Sequence, residues 1–111
     1  MEFTAVYRYA TIAPSKVRGV ADLIRGKHVN DALHILRAVN KRGASMVDKV
    51  LRSAIANADQ SLEADMESLH VSQVWVDEGP MRRKWWPRAR GRAVLIRKRS
   101  SHINVVLDDQ A

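Results

Sequence analysis

The amino-acid sequence predicts an α+β fold in which three helices pack on a small antiparallel sheet and a long basic β-hairpin protrudes. Three observations lead there. At 111 residues and 12.5 kDa, the chain has room for a single domain with one modest core. Its hydrophobic periodicity runs strand, three helices, then strands, in blocks rather than strict alternation. Its positive charge is also concentrated: nine of the nineteen Lys and Arg residues fall between Gly79 and Leu107, where there is no Asp or Glu. The rest of the chain, with ten basic and twelve acidic residues, is nearly neutral.

Residues 3–12 are rich in β-branched and aromatic side chains in rough alternation, which predicts the first strand. Ala13-Pro14-Ser15 stops it, and Pro14 suits a first helical turn because its missing N–H would find no helical partner there. From Ser15 to Arg25, Val17, Val20, Ala21 and Ile24 recur at helical spacing and form one apolar face; Gly26 supplies the stop. Asn30 is the expected N-cap of a second helix, with Asp31 in its first turn and Ala32, Ile35, Leu36 and Val39 as its stripe. Asn40 to Gly43 reads as a tight connection. Val47, Val50, Leu51, Ala54 and Ala58 then make the clearest amphipathic pattern, running to about Gln60, and Ser61 to Met66 is polar enough for a loop. Leu69 to Glu78 has strand composition until Gly79-Pro80 interrupts it, and His102 to Leu107 is β-like again. The stretches Gly79 to Lys84 and Arg92 to Arg99 can pair as two arms, with turn chemistry from Pro87 and Gly91 between them.

Composition removes whole classes of function. Without cysteine there is no disulfide framework, thiolate nucleophile or Cys-based zinc site. The longest apolar run, Ala93 to Ile96, falls far short of the ~20 residues of a membrane-spanning helix. The segment after Met1-Glu2 has neither a basic nor an apolar leader region, so a cytosolic location is expected. The net charge of +7 and pI near 10.4 carry the electrostatic signature of a nucleic-acid-binding domain.

The basic stretch from Met81 to Arg92 cannot enter so small a core, because each buried, unpaired guanidinium costs several kcal/mol. It is therefore solvated or neutralised by a polyanion. Two arms of nine or ten residues would reach about 30 Å, and an isolated two-stranded ribbon is marginal in water, so a bound partner would order it. Arginine forks match phosphate, and the Trp85 and Trp86 faces can stack on bases or accept a cation. The plain alternative is a solvated basic face. An interfacial membrane segment is a further one, opposed by Pro87 and the two glycines, which prevent an amphipathic helix. A DNA-bending protein with basic ribbon arms is the nearest binding rival.

Catalytic and metal signals are weak. His28, His34, His70 and His102 lie far apart, with no H-x-x-x-H spacing. Glu63, Asp65 and Glu67 lack the glycine and final glutamate of a calcium loop, and no serine sits in a G-x-S-x-G setting. An RNA-processing enzyme built on His102 would need an acid near the basic stretch, and none lies within it in sequence. No enzyme, cofactor or metal is expected.

Five motifs, in order, carry a resemblance: Lys16-Val17-Arg18 with Val20-Ala21-Asp22-Leu23-Ile24-Arg25-Gly26-Lys27; Ala54-Ile55-Ala56-Asn57-Ala58; Val76-Asp77-Glu78-Gly79-Pro80; Pro87-Arg88-Ala89-Arg90-Gly91-Arg92; and Lys98-Arg99-Ser100-Ser101-His102-Ile103. Across essentially its whole length the chain resembles the bacterial large-subunit ribosomal protein L-twenty-two family. The resemblance implies a structural protein of the bacterial-type large ribosomal subunit in the cytoplasm. It implies a body of about residues 1–78 plus 100–111 near the exit of the nascent-chain tunnel, and a hairpin over about residues 79–99 that threads through ribosomal RNA. The implied partners are several domains of 23S-type rRNA, neighbouring ribosomal proteins including L-four at the tunnel constriction, and the nascent peptide, with no membrane. It further implies a role in subunit assembly.

On the hairpin so placed, Arg82, Arg83, Lys84, Arg88, Arg90, Arg92, Arg97, Lys98 and Arg99, with His102 beyond it, are expected to meet rRNA, and the body to dock through Lys16, Arg18, Arg25 and Lys27. The tip, lining the tunnel, is expected at Lys84, Trp85, Trp86, Pro87, Arg88, Ala89 and Arg90. Two departures stand out. Ala13 replaces a serine common before the first helix, which forgoes about 1 kcal/mol of capping. Trp85-Trp86 replaces smaller or aliphatic tip residues.

Overall fold

Alternating side chains of the first residues produce strand β1 (Glu2–Ala10), and Pro14 opens helix α1 (Pro14–Ile24) at its first position, as expected. The computed structural model describes residues 1–87, 89–91 and 93–110, and leaves the side chains of residues 84, 89, 94 and 96 undescribed. Helix α2 (Val29–Ala38) and helix α3 (Arg42–Asp59) follow, then β2 (His70–Glu78), β3 (Arg82–Pro87), β4 (Ala93–Lys98) and β5 (Ser101–Asp108). The helices cover one face of an antiparallel sheet in the order β1-β5-β2, while β3 and β4 form a separate two-stranded ribbon. The fold class is the one predicted.

The core lies between helices and sheet. Val17, Val20, Ala21 and Ile24 of α1, Ala32 and Leu36 of α2, and Val47, Val50, Leu51, Ala54 and Ala58 of α3 meet Phe3, Val71, Val74, Val76, Ile103, Val105 and Leu107. The predicted stripes of α1 and α3 are all buried; Ile35 and Val39 of α2 are only half-buried. Helices α1 and α3 approach closely at Gly43, where a Cβ would stand 3.4 Å from the Lys16 carbonyl oxygen and 3.5 Å from the Val17 Cα. This glycine, expected in a connection, lies inside α3, which starts at Arg42.

One cap differs from expectation. The N-cap of α2 is His28, not Asn30; its Nδ1 accepts the Asn30 N–H at 3.2 Å, while Nε2 lies 2.7 Å from the Glu67 carbonyl oxygen. Histidine wins because it caps the helix and ties it to the β2 approach at once, a tertiary contact that local preference does not register. Ala13 is the N-cap residue of α1 and makes no side-chain cap bond.

The molecule is long. Its principal extents are 63 × 24 × 17 Å and its radius of gyration is 17.0 Å, where a compact chain of this length would have about 13 Å. The excess length is that of the ribbon. Among the described residues, none from Asp77 to Ser100 is buried.

Candidate nucleic-acid interface

Strands β3 and β4 pair in register from Arg82↔Lys98 and Arg83↔Arg97 to Pro87↔Ala93. Like charges directly opposite each other destabilise a ladder. Yet the first two rungs set cation against cation, and among the described residues no carboxylate forms an ion pair with any of them. The ion pairs present lie elsewhere, at the N-terminus, between Asp22 and Arg25, and between Asp48 and Arg52. The ribbon neither folds back onto the core nor finds its counter-charge within the described protein. Its stem cations Arg82, Arg83, Arg97 and Lys98 are exposed, open to water or to an anion from outside.

The turn contains Ala89–Gly91, between Pro87 and Ala93, where Gly91 is expected to shape it, while the first arm runs further than Lys84. Lys84, Trp85, Trp86 and Pro87 belong to β3, paired with Ile96, Leu95, Val94 and Ala93, because aromatic residues across from aliphatic ones favour the ladder. Pro87 is tolerated at the strand's end, where its missing N–H breaks no interior rung. Between the strands, Arg90 and Gly91 are left-handed, with φ of 65° and 69°. Successive strand residues face opposite ways, so each face of the ribbon presents an indole: Trp85 is 67% and Trp86 45% exposed. Arg88 and Arg92, and the side chains of Lys84 and Ala89, lie outside the described residues.

Hydrogen bonds fix the junction of ribbon and body. The Gly79 N–H donates to the Ser100 carbonyl at 2.9 Å, and the Ser100 hydroxyl donates to the Pro80 carbonyl at 2.6 Å. One residue on, buried Ser101 donates to the Ile12 carbonyl at 2.6 Å. Gly79 is needed for space, since a Cβ there would fall 2.5 Å from the Ser100 Oγ.

The expected body contacts divide. Arg18 donates through Nη2 to the Val76 carbonyl at 3.0 Å, and Arg25 through Nη2 to the Val74 carbonyl at 2.7 Å and through Nη1 to Asp22 at 2.6 Å, so both tie α1 to β2. Lys16 and Lys27 are exposed. His102 is occupied by the fold: β1 bulges at Arg8 and Tyr9 opposite it, and the displaced Tyr9 N–H donates to its Nδ1 at 3.0 Å. The sheet does bring an acid beside it, since Asp77 is its partner on β2. That carboxylate accepts from Trp75 Nε1 and Asn104 Nδ2, both at 3.3 Å.

Sequence reasoning missed Arg42. It lies at the first position of α3, donates to the Thr11 hydroxyl at 3.2 Å, and stands with Arg82, Lys98 and Arg99 around a cleft at the ribbon's root. A signal existed: cations in a helix's first turn oppose its dipole, and α3 begins at Arg42, after Lys41, with no acid in its first turn.

Residues 5–108 match the family described as Ribosomal protein L22p/L17e. Named "Large ribosomal subunit protein uL22", a protein of Bdellovibrio bacteriovorus is 48% identical over 110 residues, covering 99% of this chain and all of that one. Those so named from Pelotomaculum thermopropionicum and Caldicellulosiruptor saccharolyticus are 52% and 51% identical, over 99% and 96% of this chain and 97% and 88% of theirs. With an acid-free ribbon on a nearly neutral α+β body and similarity running almost end to end, the chain belongs to the ribosomal protein L22p/L17e family.

Proposed function

We propose that the protein is a structural, non-enzymatic constituent of the large ribosomal subunit whose ribbon passes through ribosomal RNA and lines the nascent-peptide tunnel. One observation carries this reading: cations oppose cations across the first rungs of an exposed ribbon, with no carboxylate paired to them among the described residues. That arrangement is costly alone and favourable inside a phosphate-rich surrounding, where each Arg fork gains a bidentate partner. Arg82, Arg83, Arg97, Lys98 and Arg99 act along its stem, and Arg88, Arg90 and Arg92 toward its end. Trp85 and Trp86 are stacking groups on its two faces, near the tunnel wall where protein L-four and the nascent peptide are its neighbours. The body docks through Lys16 and Lys27. Arg18 and Arg25 join it with the guanidinium nitrogens their carbonyls leave over.

Incorporation tests this directly. Arg88, Arg90 and Arg92 all replaced by Glu should leave the body folded by circular dichroism and abolish co-sedimentation with the large subunit; normal co-sedimentation refutes the reading. Competition between structured rRNA and bent duplex DNA separates it from the DNA-architectural alternative, which requires the DNA to win.

A further inference from the structure

At the root of the ribbon the body and hairpin enclose a cleft of about 620 Å³ that holds two chemistries. One wall is cationic, with Arg42, Arg82, Lys98 and Arg99, and among the described residues no carboxylate lines it. The other offers the Tyr9 ring, which is 65% exposed. Tyr9 is held there by a conformation that tyrosine rarely adopts, at φ 59° in the β1 bulge. Its N–H is fastened to His102 Nδ1, and the His102 ring meets it edge-on at 5.0 Å between centroids. Backbone strain of this kind costs of order 1–3 kcal/mol and persists where the surroundings enforce it, often at binding sites. The Arg42 guanidinium is likewise positioned beforehand, by the Thr11 hydroxyl.

A fixed aromatic face beside preset guanidinium groups suits a base and its phosphate together. A nucleotide inside a duplex cannot use both, because its base faces are already stacked. We propose that this cleft takes one unstacked nucleotide of a single-stranded RNA segment, with its base on the Tyr9 ring and its phosphate on Arg42 and Arg99. The site rests on the RNA-binding reading above and adds to it a position where RNA leaves its helix.

The test uses the full chain with two probes, tetrauridylate and a blunt RNA duplex. Tyr9→Asn removes the ring, and asparagine accepts left-handed backbone readily, so the bulge survives; Tyr9→Phe keeps the face. Stacking on an aromatic side chain predicts that Tyr9→Asn lowers tetrauridylate affinity about tenfold or more, spares duplex affinity, and that Tyr9→Phe binds both like the parent. Arg42→Gln should weaken tetrauridylate as well. Equal loss for both probes, or no loss with Tyr9→Asn, overturns the nucleotide site while leaving the ribbon's RNA role intact. A parent chain that binds neither probe overturns the RNA reading itself, and the site with it.

Discussion

Replacing Gly79 by alanine tests how body and ribbon are joined. The added Cβ would lie 2.5 Å from the Ser100 Oγ and 3.3 Å from both the Ser100 carbonyl carbon and the His102 Cε1. The hydroxyl can rotate away, but it then gives up its 2.6 Å bond to the Pro80 carbonyl, a loss of about 1 kcal/mol. The two remaining contacts involve the backbone of Ser100 and a ring already bonded to Tyr9, so neither yields freely; overpacking of this kind costs a further 1 kcal/mol or so. The expected destabilisation is therefore about 2 kcal/mol. At about 4 °C per kcal/mol for a chain of this size, Tm falls by about 8 °C, measured by thermal circular dichroism. The double variant Gly79→Ala, Ser100→Ala removes the struck oxygen, so its loss should be smaller than the two single losses added together. A Gly79→Ala protein within 0.5 kcal/mol of the parent, or additive losses in the cycle, would refute the steric reasoning.

Two further outcomes are expected. Ala13→Ser places a capping hydroxyl on a residue whose backbone, at φ −67° and ψ 138°, already has N-cap geometry; it should stabilise by about 1 kcal/mol and raise Tm by about 4 °C, read in the same melts. The affinity for single-stranded rRNA segments should fall with salt at a log–log slope near −6 if all nine hairpin cations reach phosphates, and replacing Arg82, Arg83 and Arg97 by Gln should flatten it by about 2. A slope unchanged by that triple replacement would place those three outside the interface.

Much of this was legible in the sequence because it is local. The apolar stripes of α1 and α3 follow directly from side-chain spacing, and Pro14 and Gly26 mark the ends of α1, Gly26 with φ of 78°. The charge asymmetry singled out the ribbon before its pairing was known. What stayed hidden depends on distant residues meeting. His28 outdoes Asn30 as a cap through a contact with Glu67, thirty-nine positions away. The cleft joins Tyr9 and Thr11 to Arg42 and to Arg82, Lys98 and Arg99, and no window along the chain holds them together. The first arm, expected from Gly79 to Lys84, runs on to Pro87 because the two indoles have strand propensity and aliphatic partners across the ladder.

Amide hydrogen exchange along Arg82–Lys98, compared between the free protein and the protein within assembled large subunits, probes most directly whether RNA envelops the ribbon. Rapid exchange in the free protein followed by strong protection on assembly, with the amides of α1, α3 and β5 protected in both states, is the expected result. Ribbon amides that exchange equally fast in the assembled subunit would contradict it.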